Sequence, residues 1–105
     1  LGTRSRVLDL SHITGNSRIG NNVFISVGVM TANDNTIGRA GYSDGHVVGI
    51  TVEDDATIGV GAVLTAGVVV GTKAIVGASS LVTRNVEPHT MVLGVPARVI
   101  QRFEP

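Results

Sequence analysis

Val52, Ile58, Leu64, Val70, Val76 and Val82 recur every six residues, and this unbroken period constrains the chain more than any other feature. Four places after each stands a small or β-branched residue: Ala56, Ala62, Val68, Ala74, Ser80 and Val86. The same period runs earlier through Val7, Ile13, Ile19 and Ile25, with Ser11, Ser17, Val23 and Val29 at the fourth place. Six fits neither an amphipathic helix, with its period of 3.6, nor a plain strand, with its period of 2. It fits a solenoid in which each unit supplies one short strand and one corner. The aliphatic residue points inward, and the small residue fits the tight turn.

Three units close one coil of a three-sided prism, so residues eighteen apart stack in columns, as Val52 would over Val70. Parallel ladders between coils, with strands roughly 4.8 Å apart, then hold the stack. The expected fold is all-β: a parallel β-helix over residues 7–36 and 46–87, about four coils. Composition agrees, because a narrow prism has no room for large rings. Aromatic residues make up 3% of the chain, there is no Trp, and hydrophobic residues reach 43%. A short solenoid leaves flat faces and open ends to be covered, which leads to the expectation of a homo-oligomer, a trimer.

Composition also excludes function classes. Eight basic and eight acidic residues balance, so there is no basic stripe for nucleic acid. Apolar runs are short and broken by Gly, so no membrane span is expected. No signal peptide is visible, and a cytoplasmic location is the expectation. Zero cysteines removes disulfide and thiol chemistry. The start at Leu1, without Met, suggests a processed, excised or naturally short form of a longer solenoid. A single domain over 1–105 is expected, with a loop inserted near 33–48 and a tail over 88–105.

The period fails between Thr31 and Gly49, in TANDNTIGRAGYSDGHVVG. This stretch holds four of the fourteen glycines, the only Tyr (Tyr42), and Asn33, Asp34, Asn35 and Asp44. If 31–36 and 46–51 form irregular faces, residues 37–45 are the extra piece. A long loop in a tight solenoid is more often functional than idle. After the repeat, Pro88 stops the coil, and Gly94, Pro96, Arg98, Val99 and Ile100 follow.

Here a resemblance becomes specific. The segment IGVGAVLTAGVVVGTKAIVGASSLVTRNVEPHTMVLGVPARVI resembles the C-terminal half of hexapeptide-repeat acyltransferases, with a match over residues 52–100. The resemblance implies a left-handed hand for the helix, a trimer, and acyl transfer from acetyl-CoA at subunit interfaces. In maltose- and galactoside-type O-acetyltransferases the equivalent loop carries a basic His. Here the segment is Thr31-Ala32-Asn33-Asp34-Asn35-Thr36, without His, and it is similar to the Asn-Asp segment of nucleotide-sugar N-acetyltransferases. Those enzymes acetylate the amino group of UDP- or dTDP-linked amino sugars.

The chemistry fits that reading. A neutral amine is a good nucleophile and a thioester is already activated, so alignment can supply much of the rate, roughly 7–11 kcal/mol in favourable cases. Asn33 and Asp34 would bind and orient the amine, and Asp34 would accept its proton directly or through water. His12, eighteen residues before Met30, should lie one coil below it near the loop mouth and is the leading candidate for general base. His46 and His89 are read as surface residues. Gly61, Ala62, Ala78 and Ser79 offer small positions beside a pantetheine arm. Arg84 and Arg98 are the natural partners of CoA phosphates, ahead of Lys73, the single lysine.

Other readings remain open. A γ-class carbonic anhydrase uses a similar solenoid, but His12, His46 and His89 are too scattered to hold zinc, and no metal is expected. An ice-binding helix would need ranked threonines. O-acetylation of a sugar or antibiotic hydroxyl is the second enzymatic reading, and a truncated non-catalytic trimeric scaffold is the non-enzymatic one.

Overall fold

The computed structural model describes residues 1–39 and 47–104. Tyr42, Asp44 and His46 of the inserted loop lie outside the described residues. The chain winds as a left-handed parallel β-helix of four coils. Coil one holds β1 (Arg6–Val7), a single bridge at His12, and β2 (Arg18–Ile19). Coil two holds β3 (Phe24–Ile25), β4 (Met30–Thr31) and β5 (Thr51–Val52). Coil three holds β6 (Thr57–Ile58), β7 (Val63–Leu64) and β8 (Val69–Val70). Coil four holds β9 (Ile75–Val76), β10 (Leu81–Val82) and a bridge at Val86, which pairs with Val70. The chain then turns into β11 (Thr90–Leu93) and β12 (Arg98–Arg102), the antiparallel pair at the top.

Three faces result. Face one runs β1-β3-β6-β9-β11-β12, face two β4-β7-β10 with His12 beneath, and face three β2-β5-β8. Val52 pairs with Val70, as the eighteen-residue column requires. Within each two-residue strand the second side chain points in. Ile25, Ile58 and Val76 therefore stack under Val92, and Leu64 stacks under Val82. The small residues at the fourth place, Ala56, Ala62 and Ala74 among them, are fully buried at the corners. Burying this aliphatic column is the main stabilising term, at about 25 cal/mol per Å² of apolar surface.

Coil one departs from the apolar pattern. Its fourth-place residues are Ser5, Ser11 and Ser17, and each hydroxyl accepts a backbone N–H of coil two, from Val23, Val29 and Ile50 respectively. Ser5 and Ser11 also donate to the carbonyls of Gly20 and Ser26. These half-buried hydroxyls staple the first two coils together.

The register also corrects the length of the interruption. Val7 and Ile19 are twelve residues apart, whereas their partners one coil up, Ile25 and Val52, are twenty-seven apart. The excursion therefore adds fifteen residues, about the span of 33–48 and six more than the 37–45 that irregular flanking faces would leave. No irregular face precedes it, because β4 ends at Thr31 on the ladder and Thr51 resumes on the next face.

Candidate functional site

The loop leaves at the corner between faces two and three and is tied at both ends. Val48 N–H donates to the Asn33 carbonyl at 2.8 Å, closing its base. The Asn33 side chain donates to the Gly15 carbonyl of coil one, and Asn16 donates to Val47 O. On the upper side, Asn35 holds the backbone of Ala66 in coil three, and Gly67 N–H donates to Val48 O. The loop base is thus a bracket across three coils.

Asp34 works inside this bracket. Its Oδ1 accepts the Thr36 N–H at 2.8 Å and the Thr36 hydroxyl at 2.5 Å, and its Oδ2 accepts the Gly38 N–H at 2.7 Å. The carboxylate proposed as a proton acceptor is thus also a turn former. The turn it encloses carries Ile37 at φ 54, 88% exposed. A β-branched residue there is uncommon.

His12 lies where counting places it. It bridges Met30, and its ring position on face two is exposed. Asn33 is anchored to the carbonyl of Gly15, three residues beyond His12 along coil one. His89 is elsewhere. It takes a positive φ of 59 on the corner between faces three and one, its N–H donating to Thr72 O. Lys73 shares that corner. Among the described residues no group of three His, Cys, Asp or Glu could hold a metal.

The small-residue positions divide. Gly61 and Ser79 fall in one column at the corner of faces one and two, with Gly61 N–H donating to Val27 O and Ser79 N–H to Val60 O. Both have positive φ, 70 and 59, and Ala78 beside Ser79 is exposed. Gly28 completes this column one coil below Gly61, with the same φ of 70 and nothing within 4 Å of the place a Cβ would occupy. Counting in eighteens misses Gly28 because the loop's fifteen residues intervene; adding them to the count finds it. Ala62 belongs to the core instead. It is fully buried, its N–H donates to Gly59 O, and its carbonyl accepts from Met30. It offers no surface to a ligand because the fourth place of the repeat turns inward.

Arg84 and Arg98 come together. They line one pocket of about 230 Å³ between the corner of coil four and the terminal hairpin, with Thr83, Asn85 and Glu87. The Glu87 carboxylate is paired with Arg102 at 2.9 Å, which offsets its charge and leaves the pocket's excess positive. Arg98 also donates to the Ala97 carbonyl, which orients its guanidinium.

No family model matches the chain. Individual proteins do. The chain is 34% identical over 101 residues to the bifunctional protein GlmU of Rubrobacter xylanophilus, covering 96% of this chain and 20% of that one. The solved structure of a maltose O-acetyltransferase from Clostridium difficile 630 superposes with a TM-score of 0.87 at 25% identity, over 99% of this chain and 58% of that one. Serine acetyltransferase of Brucella abortus strain S19, solved in complex with coenzyme A, gives a TM-score of 0.76 at 27% identity, over 99% and 40%. The chain spans from 20% to 46% of the length of the first curated relatives it matches.

Proposed function

Because this chain belongs to the hexapeptide-repeat acyltransferase family, we propose that it transfers an acetyl group from acetyl-CoA to the amino group of a sugar, a nucleotide-linked amino sugar. The observation that carries the reading is that three elements border one face of the prism, face two. The arginine pocket stands at coil four, above the loop base on the edge between faces two and three; the open column Ser79–Gly61–Gly28 runs along the other edge of face two, and His12 lies on that face at coil one. Three coil steps separate the level of Ser79 from coil one, roughly 14 Å. That is a run for an extended pantetheine arm, with its phosphates beside Arg84 and Arg98.

The residues present fit such a donor. Corner positions without bulky side chains leave backbone groups approachable, and two guanidiniums suit phosphate. When bound, acetyl-CoA supplies an activated acyl group whose thiol leaves readily, its pKa being about 8.5. The chain then has to hold the acceptor nitrogen in line and take up the proton it sheds. In this reading Asn33 orients the amine, Asp34 shapes the turn that presents it, and His12 receives the proton. The absence of a His in Thr31–Thr36 favours an amine, which needs less help from a base than a hydroxyl does.

The assembly belongs to the same proposal. Met30 is 44% exposed and Val60 53%, and with Val27, Val63 and Val95 they form an apolar strip on face two and its corner. Such a strip marks an interaction surface, and a trimer would cover it by setting two prisms side by side with the donor between them. Among the described residues no helix is long and apolar enough to cross a membrane. A cytoplasmic location is proposed because the acetyl-CoA pool lies there.

The test is turnover with acetyl-CoA and a panel of UDP- and dTDP-linked amino sugars, read as free thiol released. Acetylation of the amine supports the reading, and turnover confined to hydroxyl acceptors contradicts it. O-acetylation is the second reading, favoured by the superposition on a maltose O-acetyltransferase. It predicts that replacing His12 abolishes turnover while replacing Asn33 and Asp34 does little.

A further inference from the structure

We propose that Thr31 is a positioning residue for His12, an inference that rests on the acyl-transfer reading above. Thr31 occupies the inward column of face two, in register with Leu64 and through it with Val82. Those two are fully buried aliphatics, whereas Thr31, only 7% exposed, places a hydroxyl in the same column. A hydroxyl there is unfavourable unless it is bonded.

Its hydroxyl and its amide both bond the His12 segment. The Thr31 hydroxyl donates to the His12 carbonyl at 3.0 Å, and the Thr31 N–H donates to the same carbonyl at 3.1 Å. The hydroxyl also accepts the Thr14 N–H at 2.9 Å. In the two coils above, the amide at the Thr14 position donates to a backbone carbonyl instead: Ala32 to Leu64 and Thr65 to Val82. The ladder is therefore diverted onto a side chain at one place, directly beneath the start of the loop. Beside it, the Thr14 hydroxyl is buried and has no hydrogen-bond partner among the described residues.

An aliphatic residue, as in the two coils above, would have filled the column with no hydroxyl to satisfy. What the hydroxyl adds is a clasp on both sides of Ile13, which fixes the backbone of residues 12–14 and with it the direction in which the His12 ring leaves the chain. Thr31 also stands two residues before Asn33, whose amide is anchored to Gly15. The base and the loop entrance thus move as one unit, as a preorganised site requires.

The test compares Thr31→Val, which keeps the shape and removes the hydroxyl, with Thr31→Ser, which keeps the hydroxyl. His12→Ala and the His12→Ala/Thr31→Val double variant complete the set. Rates are read with acetyl-CoA and a UDP-linked amino sugar, and the His12 ring resonances by NMR. The expected result is a loss of about tenfold in kcat for T31V with KM for acetyl-CoA unchanged, near wild-type rates for T31S, and no further loss when T31V is added to H12A. The His12 signals should shift or broaden in T31V and return in T31S, a readout that needs no acceptor.

If H12A collapses turnover but T31V leaves kcat and the His12 signals unchanged, the positioning role is overturned while the acyl-transfer reading stands. Unchanged turnover in H12A overturns the base assignment, and with it this inference. Should T31V fail to fold, as judged by circular dichroism, Thr31→Cys takes its place, because a thiol of similar size is only a weak donor.

Discussion

Asn35 and Ala66 form a reciprocal pair. The Asn35 Nδ2 donates to the Ala66 carbonyl at 3.3 Å, and its Oδ1 accepts the Ala66 N–H at 3.0 Å. A side-chain amide here imitates a strand partner and ties the loop to coil three, opposite the Asn33 anchor on coil one. Asn35→Ala removes both bonds. The expected cost is about 1–2 kcal/mol, at the usual net value per hydrogen bond. It should appear as faster amide exchange at Ala66 and the loop base, with acetyl-CoA affinity unchanged.

Arg84 and Arg98 share a pocket whose carboxylate is already paired with Arg102. Arg84→Glu should weaken CoA binding by about tenfold or more at low salt, since a charge is reversed beside phosphate rather than merely removed. The loss should be smaller with a CoA analogue that carries fewer phosphates and should shrink as ionic strength rises. Equal affinity of the variant and the native chain for CoA would remove Arg84 from the site.

Two glycines should respond differently to alanine. A Cβ at Gly28 meets nothing within 4 Å, so Gly28→Ala bears only the left-handed backbone penalty, about 1–2 kcal/mol. It would also put a methyl group into the proposed donor groove. A Cβ at Gly49 would run into the backbone of Asn16 and Ser17 in the coil below, so Gly49→Ala should prevent the loop from rejoining the prism. Thermal melts should show a small loss for the first and a large one for the second.

The columns, the coil number and the level of His12 are legible in the repeat, because a period of six that closes every eighteen residues fixes which residues stack. The hand was not legible from the period, which is the same for either winding. The failure of the period places the loop near 33–48, but which of its residues are extra is not legible, because strand register, rather than residue type, decides where a ladder resumes. Ala62 packs in the core rather than beside a groove, and residue type does not tell the two apart, because Ala serves equally at an open corner and in a packed one; only its place in the hexad, four after Ile58, separates them. Thr31 escaped notice because one hydroxyl in an aliphatic column gains meaning only from what lies one coil below.

The core column offers a test of the solenoid itself. Ile58 is fully buried between Ile25 and Val76. Ile58→Ala should destabilise the chain by about 2–5 kcal/mol, in line with other large-to-small core changes. Because coils depend on their neighbours, the loss should be cooperative across coils two to four in denaturant unfolding, not confined to one turn.

The most direct measurement is calorimetric binding of acetyl-CoA with the molecular mass determined in the same buffer. One site per chain in a trimer, with affinity reduced by Arg84→Glu, is the expected result. A stable trimer that binds no acetyl-CoA would contradict it and leave a structural scaffold in place of an enzyme.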